Sequence, residues 1–160
     1  MKRLQNLSRR TMLHCFLGYA AIGWGICVAG IFAPAQMTFE LLGYVGGIDP
    51  SPLIADPMYD YWLRMASSVF TFIGIGFLLL AIWPKKFAAV LPFAGGFMLA
   101  EGIILLIHGL RLHLPETPFA GDTSFCFIGG IGILLCMGSV RGDLGEAKNQ
   151  GGTDSESPRP

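Results

Sequence analysis

The sequence predicts an all-α integral membrane protein: a four-helix bundle with a short interfacial helix in its first outer loop. The chain has 160 residues, of which 52% are hydrophobic and only 14% are charged. That composition is too apolar for an ordinary soluble domain, and the length suits a single domain. Four apolar runs, each of roughly 20 residues or more, are long enough to cross a bilayer.

The four runs divide the chain into three parts. The membrane domain covers residues 12–140, with spans at about 12–32, 60–83, 87–110 and 119–140. Residues 1–11 form a basic N-terminal segment. Residues 141–160 are polar and rich in Gly, Ser and Pro, which predicts a disordered tail.

The first run has two interpretations. Arg9 and Arg10 precede it as in a twin-arginine export signal, and Ala33-Pro34-Ala35 resembles a small-residue cleavage site. However, the run is longer than a usual signal core and contains Tyr19 and Trp24, and the downstream chain is again membrane-like. We therefore predict a retained span, with a cleaved signal as the alternative.

Between the first two spans lies a long connection without Lys or Arg. Pro34 is suited to the first position of a short helix that ends at Gly43 and lies on the membrane surface. The dipeptides Gly46-Gly47, Asp49-Pro50 and Ser51-Pro52 then predict irregular backbone up to the second span.

Basic residues predict the orientation. Nine of the eleven Lys and Arg residues lie in the N-terminal segment, the Lys85-Lys86 turn and the C-terminal tail. By the positive-inside rule both termini are cytoplasmic, and we expect the inner (plasma) membrane. So short a turn at Lys85-Lys86 also predicts that the second and third spans are antiparallel neighbours.

Polar residues inside the spans form the candidate site. Glu101 and His108 are seven residues apart, close to two helical turns, so they share one face of the third span. Arg64 enters the second span at an overlapping depth and is predicted to pair with Glu101, with Asp60, or with both. The full predicted cluster in the outer half of the bundle is Asp60, Arg64, Ser68, Glu101, His108, Arg111 and Trp24.

The cluster has a structural and a functional interpretation. Polar pairs often hold membrane helices together without any chemistry. Alternatively, Glu101 and His108 are candidate catalytic residues for proton transfer or isomerisation, in a pocket that opens to the outer face. The four Cys residues lack CxxC spacing and the His residues form no helical metal-ligand pair, so no metal site and no cofactor are predicted.

Several short motifs resemble a known group. They are Leu42-Gly43, the arginine of Tyr61-Trp62-Leu63-Arg64, then Gly74 and Gly76, and Trp83-Pro84 at the end of the second span. This pattern resembles the small four-helix bacterial membrane proteins of the BphX-like group and its relatives. The resemblance implies the architecture and the importance of Arg64, and it implies no activity.

Three functions remain open at this point. The leading expectation is a non-enzymatic membrane protein, either an accessory subunit or a binder or carrier of a lipophilic small molecule. An intramembrane enzyme that uses Glu101 and His108 is the first alternative, and a purely structural subunit of a complex is the second. Membrane lipids, and either another membrane protein or a lipophilic ligand, are the expected partners. Zero net charge favours no nucleic-acid partner.

Overall fold

A computed structural model describes residues 2–47, 49–114 and 116–140 of the chain. The predicted disordered tail, residues 141–160, lies outside the described residues. Those that are described form helices and no strand. The helices are α1 (Lys2–Gly25), α2 (Val28–Phe32), α3 (Ala35–Gly46), α4 (Ser51–Ala55), α5 (Pro57–Ile82), α6 (Leu91–Arg111) and α7 (Glu116–Cys136).

Four stretches are long and apolar enough to cross a membrane: Leu7–Phe32, Pro57–Ile82, Leu91–Arg111 and Phe119–Val140. The outer surface of the bundle is itself apolar. Phe32, Phe72 and Phe93, for example, are 73–80% exposed. In water such a surface would drive aggregation, whereas in a bilayer it contacts lipid chains. The predicted all-α four-helix membrane bundle is confirmed.

The helices pack in the order α5, α1, α7, α6, with each neighbouring pair antiparallel. Helix α1 is therefore central, since it contacts both α5 and α7. Sequence analysis predicted the second and third spans as direct neighbours. The structure differs: α5 and α6 run antiparallel, but their backbones do not approach closely and each packs instead on a different helix.

Glycines explain this choice of neighbours. On α6, Gly95, Gly102 and Gly109 recur at steps of seven and all face α7, where an added Cβ would collide with or crowd α7 atoms. On α5, an added Cβ at Gly74 would lie 2.5 Å from the backbone nitrogen of Gly25 in α1. In membranes such glycines let helix backbones come close, and van der Waals contact then holds the pair together.

The first span is broken near its C-terminal end. α1 ends at Gly25. In the residues that follow, some backbone hydrogen bonds span three residues instead of the four of an α-helix; for example, the Cys27 N–H donates to the Trp24 carbonyl at 3.3 Å. After this break α2 packs on α5. Pro34 ends α2 and precedes α3, which lies against α4 and α7. A helix forms where the short interfacial helix was predicted, and it continues to Gly46 rather than ending at Gly43.

The segment before α5 is more regular than predicted. Residues Ser51–Ala55 form the short helix α4, since a proline in the first turn of a helix needs no N–H partner. The Ser51 N–H donates to the Asp49 carboxylate at 3.0 Å, and this bond lowers the pKa of Asp49. Asp56 likewise caps α5 by accepting from the Met58 N–H at 2.9 Å.

The connection from α5 to α6 is longer than predicted. α6 begins at Leu91, whereas sequence analysis placed the start of the third span at Phe87. Residues 84–90 form turns. Pro84 and Pro92 at the two ends of this stretch account for its length, because proline cannot continue a preceding helix. The longer connection gives α5 and α6 room to separate.

Candidate functional site

Arg64 joins the second span to the broken end of the first. Its guanidinium Nη1 donates to the Ile31 carbonyl at 2.6 Å, and its Nε lies 3.0 Å from Asp60 Oδ1. Pro34 ends α2, so the last carbonyls of that helix lack intrahelical donors. A cation at a helix C-terminus also suits the helix dipole. Arg64 therefore fixes α2 against α5.

The predicted pair of Arg64 with Glu101 is not formed. Arg64 was predicted to pair with Glu101, with Asp60, or with both. In the structure Arg64 forms an ion pair with Asp60, which lies one turn earlier on the same helix. Glu101 is half-buried on α6, and the next residue, Gly102, packs on Cys126 of α7. Because α5 and α6 stand apart, their polar faces do not meet. The two ionisable groups belong to different parts of the bundle.

Other members of the predicted cluster are also dispersed. His108 and Arg111 are exposed in the last turn of α6. The Ser68 hydroxyl donates to the Met65 carbonyl of its own helix at 2.8 Å. Within the described residues no group of three His, Cys, Asp or Glu side chains could hold a metal ion. Among the described residues, the Arg64–Asp60 ion pair is the one side-chain bond between members of the predicted cluster.

Trp24 is the cluster member that lies at the centre of the bundle. Its ring contacts one aromatic ring from each of the other three spans: Phe70 at 5.0 Å, Phe97 at 6.3 Å and Phe125 at 5.9 Å between centroids. Only 8% of the residue is exposed. Its indole Nε1 is buried and has no hydrogen-bond partner.

Thr123 of α7 is a second buried polar residue. Three other helical threonines, Thr11, Thr38 and Thr71, each donate to the carbonyl four residues earlier. Thr123 is 7% exposed, and its hydroxyl has no partner. A buried polar atom without a partner costs about 1–3 kcal/mol. The sequence could not reveal this, because any helical threonine can bond back to its own helix.

An apolar cleft of about 490 Å³ lies between α5 and α6. It is open on one side, and no polar surface lines it. Phe77 and Leu80 line it from α5, and Phe97, which also touches Trp24, lines it from α6. The complete lining is Ile73, Gly76, Phe77, Leu79, Leu80, Phe87, Val90, Phe93, Ala94 and Phe97. The sequence analysis expected a pocket at the predicted polar cluster, open to the outer face. The cleft instead lies nearer to the Lys85-Lys86 turn.

Together these features define a multi-pass membrane protein: a four-span bundle with a laterally open apolar cleft and a buried indole beside it. The family models, the curated proteins and the solved structures contain no match to this chain.

Proposed function

We propose that the protein binds a lipophilic small molecule in the cleft between α5 and α6, as a binder or carrier in the bacterial inner membrane. The observation that supports this is the cleft itself. Its volume falls in the range of small-molecule sites, and its lining has no polar surface. A cleft that opens sideways admits ligands dissolved in the bilayer. Membrane lipid is the natural competitor for the same space.

Trp24 provides a direct readout of binding. The chain has three tryptophans, and the other two, Trp62 and Trp83, are 54% and 50% exposed. Replacing these two by Phe leaves Trp24 as the single tryptophan, whose fluorescence can be excited selectively over that of the four tyrosines. In lipid nanodiscs, bromoundecane should quench Trp24 only when it enters the cleft, because bromine quenches over short range and the bundle shields Trp24 from bulk lipid.

The matched variants are Gly76→Phe and Gly96→Phe. Both glycines lie in spanning helices with open space where a Cβ would stand, but only Gly76 lines the cleft. We expect Gly76→Phe to weaken quenching by about tenfold or more, because the new ring occupies the ligand volume. Gly96→Phe should leave quenching unchanged. Equal quenching in both variants would show that bromoundecane reaches Trp24 by another route, and the proposal would fail.

An accessory or structural subunit is the second candidate, and a separate feature favours it. A groove of about 470 Å³ lies on the outside of the α1–α5 pair, and Gly18, Ala21, Gly25 and Gly74 are among its lining residues. Small residues at such a surface let another membrane helix approach closely. The enzyme alternative has less support. It requires Glu101 and His108 to act together in one pocket, but His108 is exposed while Glu101 is half-buried.

A further inference from the structure

A positive charge lies just outside the cleft, at the end near the Lys85-Lys86 turn. Phe87 lines the cleft, and the ammonium of Lys86 lies 5.8 Å from the centroid of the Phe87 ring. Lys86 itself is exposed and does not belong to the apolar lining. The Phe87 ring therefore joins the apolar cleft to a cation at its mouth.

The walls of the cleft contain no acid that could neutralise this cation. The sequence has no Asp or Glu between Asp60 and Glu101, and that stretch includes every residue that lines the cleft. Within the part of the chain that the structure describes, Lys86 forms no ion pair. Its charge is available to an anion from outside the protein.

Helix α1 adds further positive charge at the same end of the bundle. The Nδ1 of His14 in α1 is 2.7 Å from the Ala81 carbonyl oxygen, in the last turn of α5. Ala81 directly follows Leu80, which lines the cleft. Residues 1–39 contain four Lys or Arg, all of which precede His14, and no Asp or Glu. The potential at this end of the bundle therefore attracts anions to the mouth of the cleft.

We infer that the ligand is a long-chain carboxylate, with its alkyl chain in the cleft and its head group at Lys86. This inference rests on the proposed binding of a lipophilic molecule in the cleft. The lining has no polar surface, so a charged group cannot be buried there without a large cost. The carboxylate instead stays at the mouth, where the exposed Lys86 pairs with it and water solvates both. A phospholipid has a second chain that this one cleft would leave in the bilayer, so a single-chain acid matches the site better.

The alkyl chain then extends from the turn toward Trp24. Phe87 marks the mouth, and Phe97 is the last residue of α6 in the lining, with its ring centroid 6.3 Å from that of Trp24. The helix from Leu91 to Phe97 covers about 9 Å at 1.5 Å per residue. The chain of undecanoate is long enough to cover this distance. Its terminal carbon thus lies near Trp24 while its carboxylate lies near Lys86.

The first test determines the direction of the chain, in the protein whose single tryptophan is Trp24. The protein is placed in phosphatidylcholine nanodiscs at alkaline pH, where a carboxylic acid is ionised and Lys is still protonated. Undecanoate brominated at its terminal carbon should quench Trp24 strongly. Undecanoate brominated beside its carboxylate should quench Trp24 weakly, because its bromine stays at the mouth of the cleft. Equal quenching by the two probes, or stronger quenching by the second, would overturn the inference.

The second test removes the cation. Lys86→Gln should raise the concentration of terminally brominated undecanoate that half-quenches Trp24 by about fivefold, the effect of one basic residue near a membrane surface. Lys86→Arg keeps the charge and should behave as the parent protein. An unchanged concentration in Lys86→Gln would show that the carboxylate binds elsewhere, and the inference would be wrong.

Arg111→Gln is the matched control. It removes the same charge from an exposed position in the last turn of α6, at the end of that helix remote from the Lys85-Lys86 turn. We expect Arg111→Gln to leave the quenching by undecanoate unchanged. An equal loss in Arg111→Gln and Lys86→Gln would mean that net charge alone attracts the probe, which also contradicts the inference.

An anionic phospholipid is the competing occupant of the same site. Replacing a minor part of the phosphatidylcholine by phosphatidylglycerol supplies an anionic head group on two chains. If the carboxylate is the preferred ligand, Lys86→Gln should still weaken quenching in these nanodiscs. If the parent protein and Lys86→Gln become equal, the phospholipid occupies Lys86 and the carboxylate is not the ligand.

Bromoundecane, which has no head group, separates this inference from the proposed function. If it quenches Gly76→Phe and Gly96→Phe equally, the binding function fails, and the head-group inference fails with it. If bromoundecane enters the cleft but Lys86→Gln leaves the quenching by undecanoate unchanged, only the head-group inference fails. Bromoundecane should quench Lys86→Gln as it quenches the parent protein, which shows that the variant is folded and its cleft is intact.

Discussion

At the scale of single residues, Arg64 stabilises a helix end rather than neutralising an acid on another helix. Its bond to the Ile31 carbonyl supplies a donor where Pro34 has ended α2. The ion pair with Asp60 joins residues i and i+4 of the same helix, and such pairs contribute only about 0.2–0.5 kcal/mol. The bond to the backbone should therefore matter more for stability than the ion pair.

Replacing Arg64 by Gln tests this order of importance. We expect Arg64→Gln to lower the free energy of unfolding by about 1 kcal/mol, because the Ile31 carbonyl loses its charged donor. Asp60→Asn removes only the ion pair and should cost less than about 0.5 kcal/mol. Unfolding midpoints in a lipid–detergent mixture measure both. Equal losses would mean that the ion pair dominates.

Sequence reasoning was informative about individual residues only in part. It identified Arg64, Glu101 and Trp24 as residues that need an explanation in an apolar environment. It placed Arg64 and Glu101 together because their depths overlap, but depth does not specify which helices face each other. Thr123 gave no sequence signal, because its unpaired hydroxyl depends on the side-chain rotamer.

At the scale of helices, the close contact of α1 with α5 depends on Gly74. An added Cβ there would lie 2.5 Å and 2.7 Å from backbone atoms of Gly25 and 3.0 Å from the Ala21 carbonyl oxygen. Backbone cannot move aside as a flexible side chain can. The two helices would have to separate along their length.

Gly74→Ala should therefore destabilise the protein by about 1–3 kcal/mol, the usual cost of overpacking. The control is Gly76→Ala, two residues along the same helix, where an added Cβ meets nothing within 4 Å. We expect this variant to be neutral or slightly stabilising, since Ala favours helix over Gly. Thermal unfolding of the purified variants measures the difference. Two similar melting temperatures would contradict the packing argument.

The positions of the spans could be predicted from the sequence, but their neighbours could not. Length and hydropathy determine which segments can cross a bilayer. The short Lys85-Lys86 turn indicated that the second and third spans pack together, a reasonable inference for soluble bundles. In this bundle, close packing at Gly74 and at the α6 glycines determines the pairs instead. The spacing of Gly95, Gly102 and Gly109 was a readable signal of the α6 face that meets α7.

At the scale of the whole molecule, the distribution of basic residues predicts the orientation. Green fluorescent protein fused to the C-terminus should fluoresce, because that terminus is expected in the cytoplasm. Alkaline phosphatase fused after Gly47 should be active, because the first outer loop is expected on the opposite side. A fluorescent C-terminal fusion with an inactive loop fusion would indicate failed insertion. A dark C-terminal fusion with an inactive loop fusion would contradict the positive-inside assignment.

The central position of α1 has a consequence for biogenesis. α1 is the first spanning helix to leave the ribosome, yet one of its two neighbours, α7, is the last. The α1–α5 pair can form early and the α6–α7 pair late. Assembly is then complete when the two pairs pack together through the contact of α1 with α7. Trp24 meets Phe125 only at that step. A nascent chain that stops before α7 therefore leaves the Trp24 ring without its Phe125 contact, however well its earlier helices insert.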